Sequence, residues 1–384
     1  MSPGPSPADI ERARAAAADV VRHTPVLPSA TLTDSLGAEV VLKAESLQRT
    51  GSFKIRGALN KLAALGEDGC AKGVVAASAG NHAQALAFAA RARGVPCEVF
   101  MPHIAPIAKV EGAEALGATV TPVGETVDEC LVAARERADE SGMAFVHPFD
   151  DADVVAGQGT LGLELLEDVP DLAKIVVPIG GGGLASGIAI AVKSARPDVE
   201  IVGVRAEQYP SIADGIVVKG TGELTGPLLE EWLDDVITVP EDDIAEAIVV
   251  LMEKAKLVVE GAGAIGVAAL LGHKTAVGSG GTTAVVLSGG NVDAGLLAEV
   301  ARRHETLAGR RLVVFTRVSD RPGSLAKLLA CVGDTGANLV EVQHLREGVD
   351  LHVRQTAVQL VLETRGRAHA EQVLEALRDH GYEL

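Results

Sequence analysis

A repeated alternation constrains this chain more than any other feature. Short runs rich in Val and Ile are followed by Ala-rich stretches with helical spacing. The runs are "EVVLKAE" (39–45), "GVVAAS" (73–78), "CEVFMP" (97–102), "ATVTPV" (118–123), "KIVVPI" (174–179), "EIVGVRA" (200–206) and "TTAVVLS" (282–288). Helical patterns fall at about 82–93, Ile107–Leu116 and Val127–Glu140. Nearly continuous apolar strands are buried on both faces, and strands spaced by helices form βαβ units. The predicted class is therefore α/β with mostly parallel sheets.

The texture changes after about residue 305. "RLVVFTRV" (311–318), "ANLVEVQHL" (337–345) and "TAVQLVLET" (356–364) read as strands, with helices over 323–336 and 368–381. That β-α-β-β-α order is close to a ferredoxin-like unit lacking its last strand. The charged, Gly-containing "ARRHETLAGRR" (301–311) reads as the linker.

Charge and cysteine usage exclude several functions. The net charge is −18, which argues against nucleic-acid binding through a basic surface. Any anionic ligand must be held by local amide dipoles. Four scattered Cys with no CxxC pair argue against a zinc ribbon or disulfide scaffold and fit a reducing cytosol. The start, "MSPGPSPADI", has no basic-then-apolar signal pattern, and no apolar run reaches the roughly 18 residues of a membrane span. A cytoplasmic location with no membrane partner is expected.

Four short segments carry candidate chemistry. In "TGSFKIRGA" (50–58) one ammonium, Lys54, stands between Phe53 and Ile55. Lysines commonly snorkel to water. Here Thr50 or Ser52 is placed to cap a helix, and Gly51 and Gly57 permit close backbone approach. A lysine desolvated in such a place has a lowered pKa and can condense with a carbonyl compound. In "ASAGNHAQAL" (77–86) a strand end meets a helix start. Ser78, Gly80 and Asn81 offer donors there, and a carboxylate suits free helix N–H groups. Alternatively Asn81 only caps the helix and His82 is solvated. In "VVPIGGGGLASG" (176–187) four glycines join a strand to a helix, a turn able to cradle phosphate. It also contains GxGxxA (Gly180, Gly182, Ala185), so a nicotinamide oxidoreductase competes on this motif alone. In "VVLSGGNVD" (285–293) Ser288 stands at a strand end, where a hydroxyl could bond a heteroaromatic nitrogen. Pyridoxal phosphate with an amino acid uses all four segments, whereas a nicotinamide explains only the third.

Together these segments resemble the threonine dehydratase (threonine ammonia-lyase) family of fold-type-II pyridoxal-phosphate enzymes, over roughly residues 20–300. "KAESLQRTGSFKIRGA" looks like the cofactor-lysine signature, "SAGNHAQ" like the substrate loop, "GGGGL" like the phosphate loop and "SGGN" like the pyridine-nitrogen partner. "HPFDD" (147–151) and "GQGT" (157–160) also look familiar. Residues from about 311 resemble an ACT-type regulatory domain, best in "DRPGSLAKLL" (320–329).

The resemblance implies two parallel-sheet α/β subdomains over residues 1–305, the smaller inserted at about 45–150, and a regulatory domain over 311–384. Lys54 would carry the cofactor and act as the base at Cα, with Phe53 packed beside it. Ser78, Ala79, Gly80, Asn81 and His82 would form the substrate-carboxylate loop, with Asn81 also near the cofactor's phenolic oxygen. Gly180, Gly181, Gly182, Gly183 and Leu184 would hold the phosphate. Ser288 would bond the pyridine nitrogen, and Glu260 would lie by the ring. The family often has Pro where this chain has Gly261, so that turn is expected to differ. Some superfamily members bind a divalent cation near "GVRAE"; Glu207 matches one ligand, but the following "QYPSIAD" does not match, so no metal is expected.

The implied reaction is dehydration and deamination of L-threonine to 2-oxobutanoate and ammonia, and of L-serine to pyruvate. A serine hydroxyl cannot keep the pyridine protonated as a carboxylate could. The ring is then a weaker electron sink, which favours β-elimination over racemisation. Related serine racemases carry a second serine where this chain has Ala79, and alanine moves no proton. The alternatives are a serine racemase, another fold-type-II enzyme such as a threonine synthase or sulfhydrylase, a nicotinamide oxidoreductase, and a non-catalytic amino-acid sensor. The regulatory module implies control by a branched-chain amino acid, and a homodimer or homotetramer.

Overall fold

The computed structural model describes residues 4–105, 107–208, 211–213, 216, 220–346 and 354–384. The chain divides into two compact units, Met1–Asp293 and Ala294–Leu384.

In the first unit the chain enters with β1 (Val26–Pro28) and β2 (Val40–Ala44), then leaves to build a second sheet from β3 (Val74–Ala77), β4 (Cys97–Met101), β5 (Thr119–Pro122) and β6 (Ala144–Phe145). It returns through β7 (Leu172–Pro178), β8 (Glu200–Ala206), β9 (Asp235–Val239) and β10 (Thr282–Leu287). The larger sheet has the order β1-β2-β10-β7-β8-β9 and the smaller β5-β4-β3-β6. Every pairing is parallel except the hairpin-like β1–β2. All residues of β2, β3 and β10 are buried, which accounts for their unbroken apolar character. The strands expected from sequence are all present; β1, the two-residue β6 and β9 are additional.

Three helices fix the relation between the two sheets. The helix Lys54–Cys70 and the helix Gly183–Ala195 both pack on the helix Ala152–Asp168. The crossings are glycine on backbone. A Cβ on Gly157 would stand 2.6 Å from the carbonyl oxygen of Arg56, and one on Gly187 would stand 2.4 Å from that of Val155. Side chains at these points would force the helices apart. The two helices that follow the lysine and tetraglycine segments are thereby clamped to one support.

Two local expectations fail. Neither Thr50 nor Ser52 caps the Lys54–Cys70 helix: Phe53 occupies the cap position without a side-chain bond, and both hydroxyls are buried without a hydrogen-bond partner. Thr50 instead takes a left-handed conformation (φ 63°) in the tight turn before the lysine. The expected linker is also mostly helical, because the helix Ala294–Leu307 runs through its first seven residues. Arg302 and Arg303 are exposed and Glu305 pairs with Arg310, so a charged stretch there is compatible with a helix.

The second unit contains β11 (Arg311–Ser319), β12 (Asn338–Leu345) and β13 (Gln355–Glu363) in the antiparallel order β11-β13-β12. The helices Ser324–Asp334 and Arg367–Asp379 contribute Leu328, Val332, Val373 and Leu377 to a core with Val314, Val318, Val358, Leu360 and Leu362. The β12 edge leaves Leu339, Val340 and Val342 exposed.

All four cysteines are buried and unpaired. Cys70 and Cys97 lie in the core beside the smaller sheet, Cys130 in the cluster on its other face, and Cys331 in the second unit. Burial pushes the Cys97 thiol up to about 12 and the Cys130 thiol up to about 11, with Glu98 and Glu129 acting in the same direction.

Candidate active site

Sheet order brings the candidate segments together. β2, β10 and β7 are adjacent and parallel, and each delivers one segment from its carboxyl end: the lysine turn, Ser288 and the glycine run. The crevice outside such strand ends is the usual ligand site of open α/β sheets. β3 of the smaller sheet supplies Ser78–Asn81 in the same way.

The lysine turn is sewn to the Ser288 turn. Phe53 N donates to the Ser288 carbonyl at 3.1 Å, Gly290 N donates to the Gly51 carbonyl at 2.9 Å, and Ser52 bridges Gly289. Lys54 follows at once. Its Nζ donates to the Pro148 carbonyl at 2.8 Å and lies 5.2 Å from the Phe53 ring centre. The side chain keeps partial solvent contact, but its ammonium lies deep, and desolvation lowers its pKa to about 8. Glu260 works in the opposite direction. Much of this amine is therefore neutral near pH 8, which a nucleophile or base requires.

Asn81 joins three segments. Its Nδ2 donates to Glu260 Oε1 at 2.6 Å, and its Oδ1 accepts from Asn291 Nδ2 at 2.8 Å. Asn291 Nδ2 is also within 2.8 Å of the Thr50 carbonyl. Asn81 is the first residue of its helix and Gly80 is the cap, so its side chain is used across the site. Glu260, 3% exposed, stands at the cap position of the helix Gly261–Leu271. A Cβ on Gly261 would stand 2.4 Å from the Ile212 carbonyl oxygen, so the chain passes unusually close there.

The loop Ser78–His82 is tightly folded. Gly80 N donates to Ser78 Oγ at 3.1 Å. His82 is buried rather than solvated; its Nε2 is 3.2 Å from the Val146 carbonyl and its Nδ1 has no hydrogen-bond partner. Burial, and next the charge of Lys54, lower its pKa to about 3, so the imidazole is neutral. The side chain of Lys109, also buried, passes Gly80: its Nζ lies 3.8 Å from where a Gly80 Cβ would be. Ser288 is 2% exposed.

The tetraglycine run forms a turn into a helix that starts at Gly183. A Cβ on Gly181 would sit 2.3 Å from the Phe149 ring, and Gly182 has φ 95°. Only glycine allows this turn beside that ring. Thr225 Oγ1 donates to the Gly181 carbonyl at 2.6 Å. Asp150 accepts the amides of Glu223, Leu224 and Thr225, each at 3.0 Å. The neighbouring His147 is held neutral mainly by burial, which lowers its pKa to about 4, and its Nδ1 accepts from Asp150 N at 2.7 Å.

Behind Lys54 lies a buried ion cluster. Arg56 donates to Glu45 Oε1 and Oε2 at 2.7 and 2.8 Å, to Glu164 Oε1 and Oε2 at 2.7 and 3.0 Å, and to Thr160 Oγ1 at 3.1 Å. Lys43 adds a contact of 2.7 Å to Glu164 and Thr24 Oγ1 one of 2.5 Å to Glu45. The cluster anchors the lysine-bearing helix to its support helix and to the chain just after β2.

Sequence reasoning did not assign roles to Pro148, Phe149, Asp150, Thr225, Lys109 or Asn291. For Asp150 the signal was present in "HPFDD", and for Asn291 in "SGGN". For Thr225 there was none. Glu207 ends up just beyond β8, and Tyr209, Pro210 and Asp214 of its expected loop lie outside the described residues.

Residues 17–289 match the family described as pyridoxal-phosphate dependent enzyme. The chain belongs to that family. It is 43% identical to an L-threonine ammonia-lyase of Thermotoga maritima, with 98% of each chain covered. Among solved structures it is similar to a threonine deaminase from the organism abbreviated T.th., with a TM-score of 0.69, 41% identity, and 75% of this chain and 99% of that one covered. It is also similar to maize serine racemase, with a TM-score of 0.73, 35% identity, and 79% and 99% covered. The pyridoxal-phosphate reading therefore displaces the nicotinamide alternative. Among the described residues no helix is long and apolar enough to cross a membrane.

A separate recess of about 260 Å³ lies in the second unit, lined by Asp320, Arg321, Ser324, His344, Arg346 and Thr356 among others. Arg346 and Asp320 pair across it at 2.8 Å.

Proposed function

We propose that this chain is a pyridoxal-phosphate dependent L-threonine ammonia-lyase that also accepts L-serine. The observation that carries the reading is the joint placement of Lys54, the Asn81 loop, the glycine turn and Ser288 at adjoining strand ends, in a chain so similar to an L-threonine ammonia-lyase along its whole length. The residues fit the cofactor. Gly180–Gly183 and Leu184 offer helix-start amides for its phosphate, in a turn where added Cβ atoms would collide with neighbours. Ser288 suits the ring nitrogen, Lys54 the carbonyl carbon, and Phe53, Asn81 and Glu260 the surroundings of the ring.

Bound pyridoxal phosphate supplies an electron sink conjugated to the substrate Cα. The chain does the rest. The amides and side chains of Ser78, Ala79, Gly80, Asn81 and His82 receive the substrate carboxylate. Lys54 Nζ, with its pKa of about 8, takes the Cα proton. The Pro148 carbonyl holds that amine on one side of the site while it is idle. Neutral His82 and His147 add no positive charge that would depress Lys54 further. Ala79 offers no proton to the opposite face, which favours elimination over racemisation even though a serine racemase is among the similar structures.

The decisive experiment measures 2-oxo-acid release from L-threonine and L-serine, with D-serine followed in parallel. Prompt 2-oxobutanoate supports the reading; rapid D-serine with little keto acid would replace it by the racemase. Lys54→Ala is expected to abolish release.

Residues 1–305 are assigned to catalysis, with the smaller part at about 45–150, and 311–384 to an ACT-type regulatory module. The recess around Asp320–Ser324 is read as the seat of a branched-chain amino-acid effector, whose carboxylate would suit Arg321 or Arg346. The exposed apolar edge of β12 supports assembly into a homodimer or homotetramer. Velocity curves unchanged by isoleucine and valine would remove the effector, and a monomer in sedimentation would remove the assembly.

A further inference from the structure

We propose that Thr225, held in place by Asp150, is a positioning residue that aims the Gly182 amide into the phosphate cradle. The inference rests on the cofactor reading given above and adds a part that reading does not contain.

The argument begins with one peptide plane. In a trans peptide the carbonyl of Gly181 and the N–H of Gly182 point in opposite directions. Whatever holds the carbonyl oxygen therefore also sets the direction of the amide. Thr225, fully buried, donates its hydroxyl to that oxygen at 2.6 Å. The polarity of this bond is fixed by its surroundings. Gly222 N donates to Thr225 Oγ1 at 2.9 Å, so the hydroxyl oxygen is an acceptor there and its single proton goes elsewhere. Two acceptors are in reach, Gly181 O at 2.6 Å and Asp150 Oδ1 at 3.4 Å. Asp150 Oδ1 already accepts the amides of Leu224 and Thr225, so the shorter bond takes the proton.

The left-handed backbone at Gly182 (φ 95°) makes the plane easy to turn, since glycine has little steric preference. The threonine removes that freedom before any ligand arrives, which is how preorganisation strengthens anion binding. Asp150 in turn fixes Thr225 through the three amides at the start of the helix Thr225–Trp232. Asp150 lies two residues after Pro148, whose carbonyl receives Lys54. The segment His147–Asp150 thus ties the two ends of the cofactor site together, and Phe149 between them packs on Gly181.

The test compares full-length, cofactor-stripped wild type with Thr225→Val and Thr225→Ser. Binding of pyridoxal phosphate and of pyridoxal, which lacks the phosphate, is read by absorbance titration. Thr225→Val, matched in shape but lacking the hydroxyl, is expected to weaken pyridoxal phosphate about tenfold, the scale of one hydrogen bond, and to leave pyridoxal unchanged. Thr225→Ser is expected to retain wild-type affinity for both. Unchanged affinity of Thr225→Val for pyridoxal phosphate overturns the proposal, as does an equal loss for both ligands. If Thr225→Val does not fold, Thr225→Ala takes its place under the same criteria: a loss of about tenfold for pyridoxal phosphate alone is expected, and unchanged affinity, or an equal loss for both ligands, overturns the proposal. A wild type that binds neither compound overturns the cofactor reading itself, and this proposal with it.

Discussion

Replacing Arg56 by Met tests whether the buried ion cluster holds the lysine-bearing helix. Arg56 is 1% exposed and Glu45 fully buried. The cluster core balances Arg56 and Lys43 against Glu45 and Glu164. After the change Lys43, which also pairs with Asp168 at 3.0 Å, is the one cation left to Glu45 and Glu164. Lys43 still reaches Glu164, whereas Glu45 keeps the Thr24 hydroxyl. Breaking a buried pair from one side costs roughly 3–5 kcal/mol, most of it from the stranded charge. The first unit contains Trp232, the only tryptophan, so its fluorescence in urea reports this part of the chain. Two checks distinguish stranded charge from lost packing. Arg56→Met with Glu45→Leu should regain most of the loss. The deficit should also narrow as pH falls. In the wild type, burial raises the Glu164 pKa, but bonds from Arg56 and Lys43 outweigh this and hold it below 4.5. Its folded-state pKa is depressed, so its contribution is present above 4.5 and is lost as pH falls through the lower folded value. In the variant Glu164, without the bonds from Arg56, can instead take up a proton at higher pH, which relieves part of the excess negative charge. A single mutant within about 1 kcal/mol of wild type, or a gap that widens on acidification, would refute the argument.

Other expectations follow from single contacts. Gly187→Ala places a Cβ 2.4 Å from a backbone oxygen, so the fold should lose at least the roughly 1–3 kcal/mol of overpacking, measured as a lower urea midpoint. The acylation rate of Lys54 in cofactor-free protein should rise with pH around a midpoint near 8; Glu260→Gln should lower that midpoint, because the carboxylate favours the charged amine. An upward move would show that Glu260 acts otherwise. Thr126→Ala removes the capping box of the helix Val127–Ser141 and should reduce stability by about 1 kcal/mol, by thermal melting.

What could be read from the sequence was what is local. β2, β7 and β10 were legible because fully buried parallel strands carry little but Val, Ile, Leu and Ala. β9 was missed because Asp235, Val236 and Thr238 are exposed and only Val239 is buried, and β6 because two residues leave no pattern. Lys54, Asn81, the glycines and Ser288 stood out as unusual residues at strand ends. Their grouping follows from the order β2-β10-β7, which no segment encodes by itself. The Pro148–Lys54 bond spans 94 positions and the Thr225–Gly181 bond 44, and both end on backbone carbonyls that have no residue identity to recognise. The helix through 301–307 was misread because charge alone does not distinguish a linker from a solvated helix face.

The hidden thiols give this chain a built-in clock. Cys70, Cys97 and Cys130 surround the smaller sheet, Cys331 belongs to the second unit, and no cysteine lies in the larger sheet. A thiol-trapping reagent therefore meets nothing reactive until the smaller sheet or the second unit opens. Mapping trapped cysteines by mass over time would time those openings separately, in the native enzyme and without any engineered label. A compound that slowed one opening and not the other would thereby be assigned to the unit it binds.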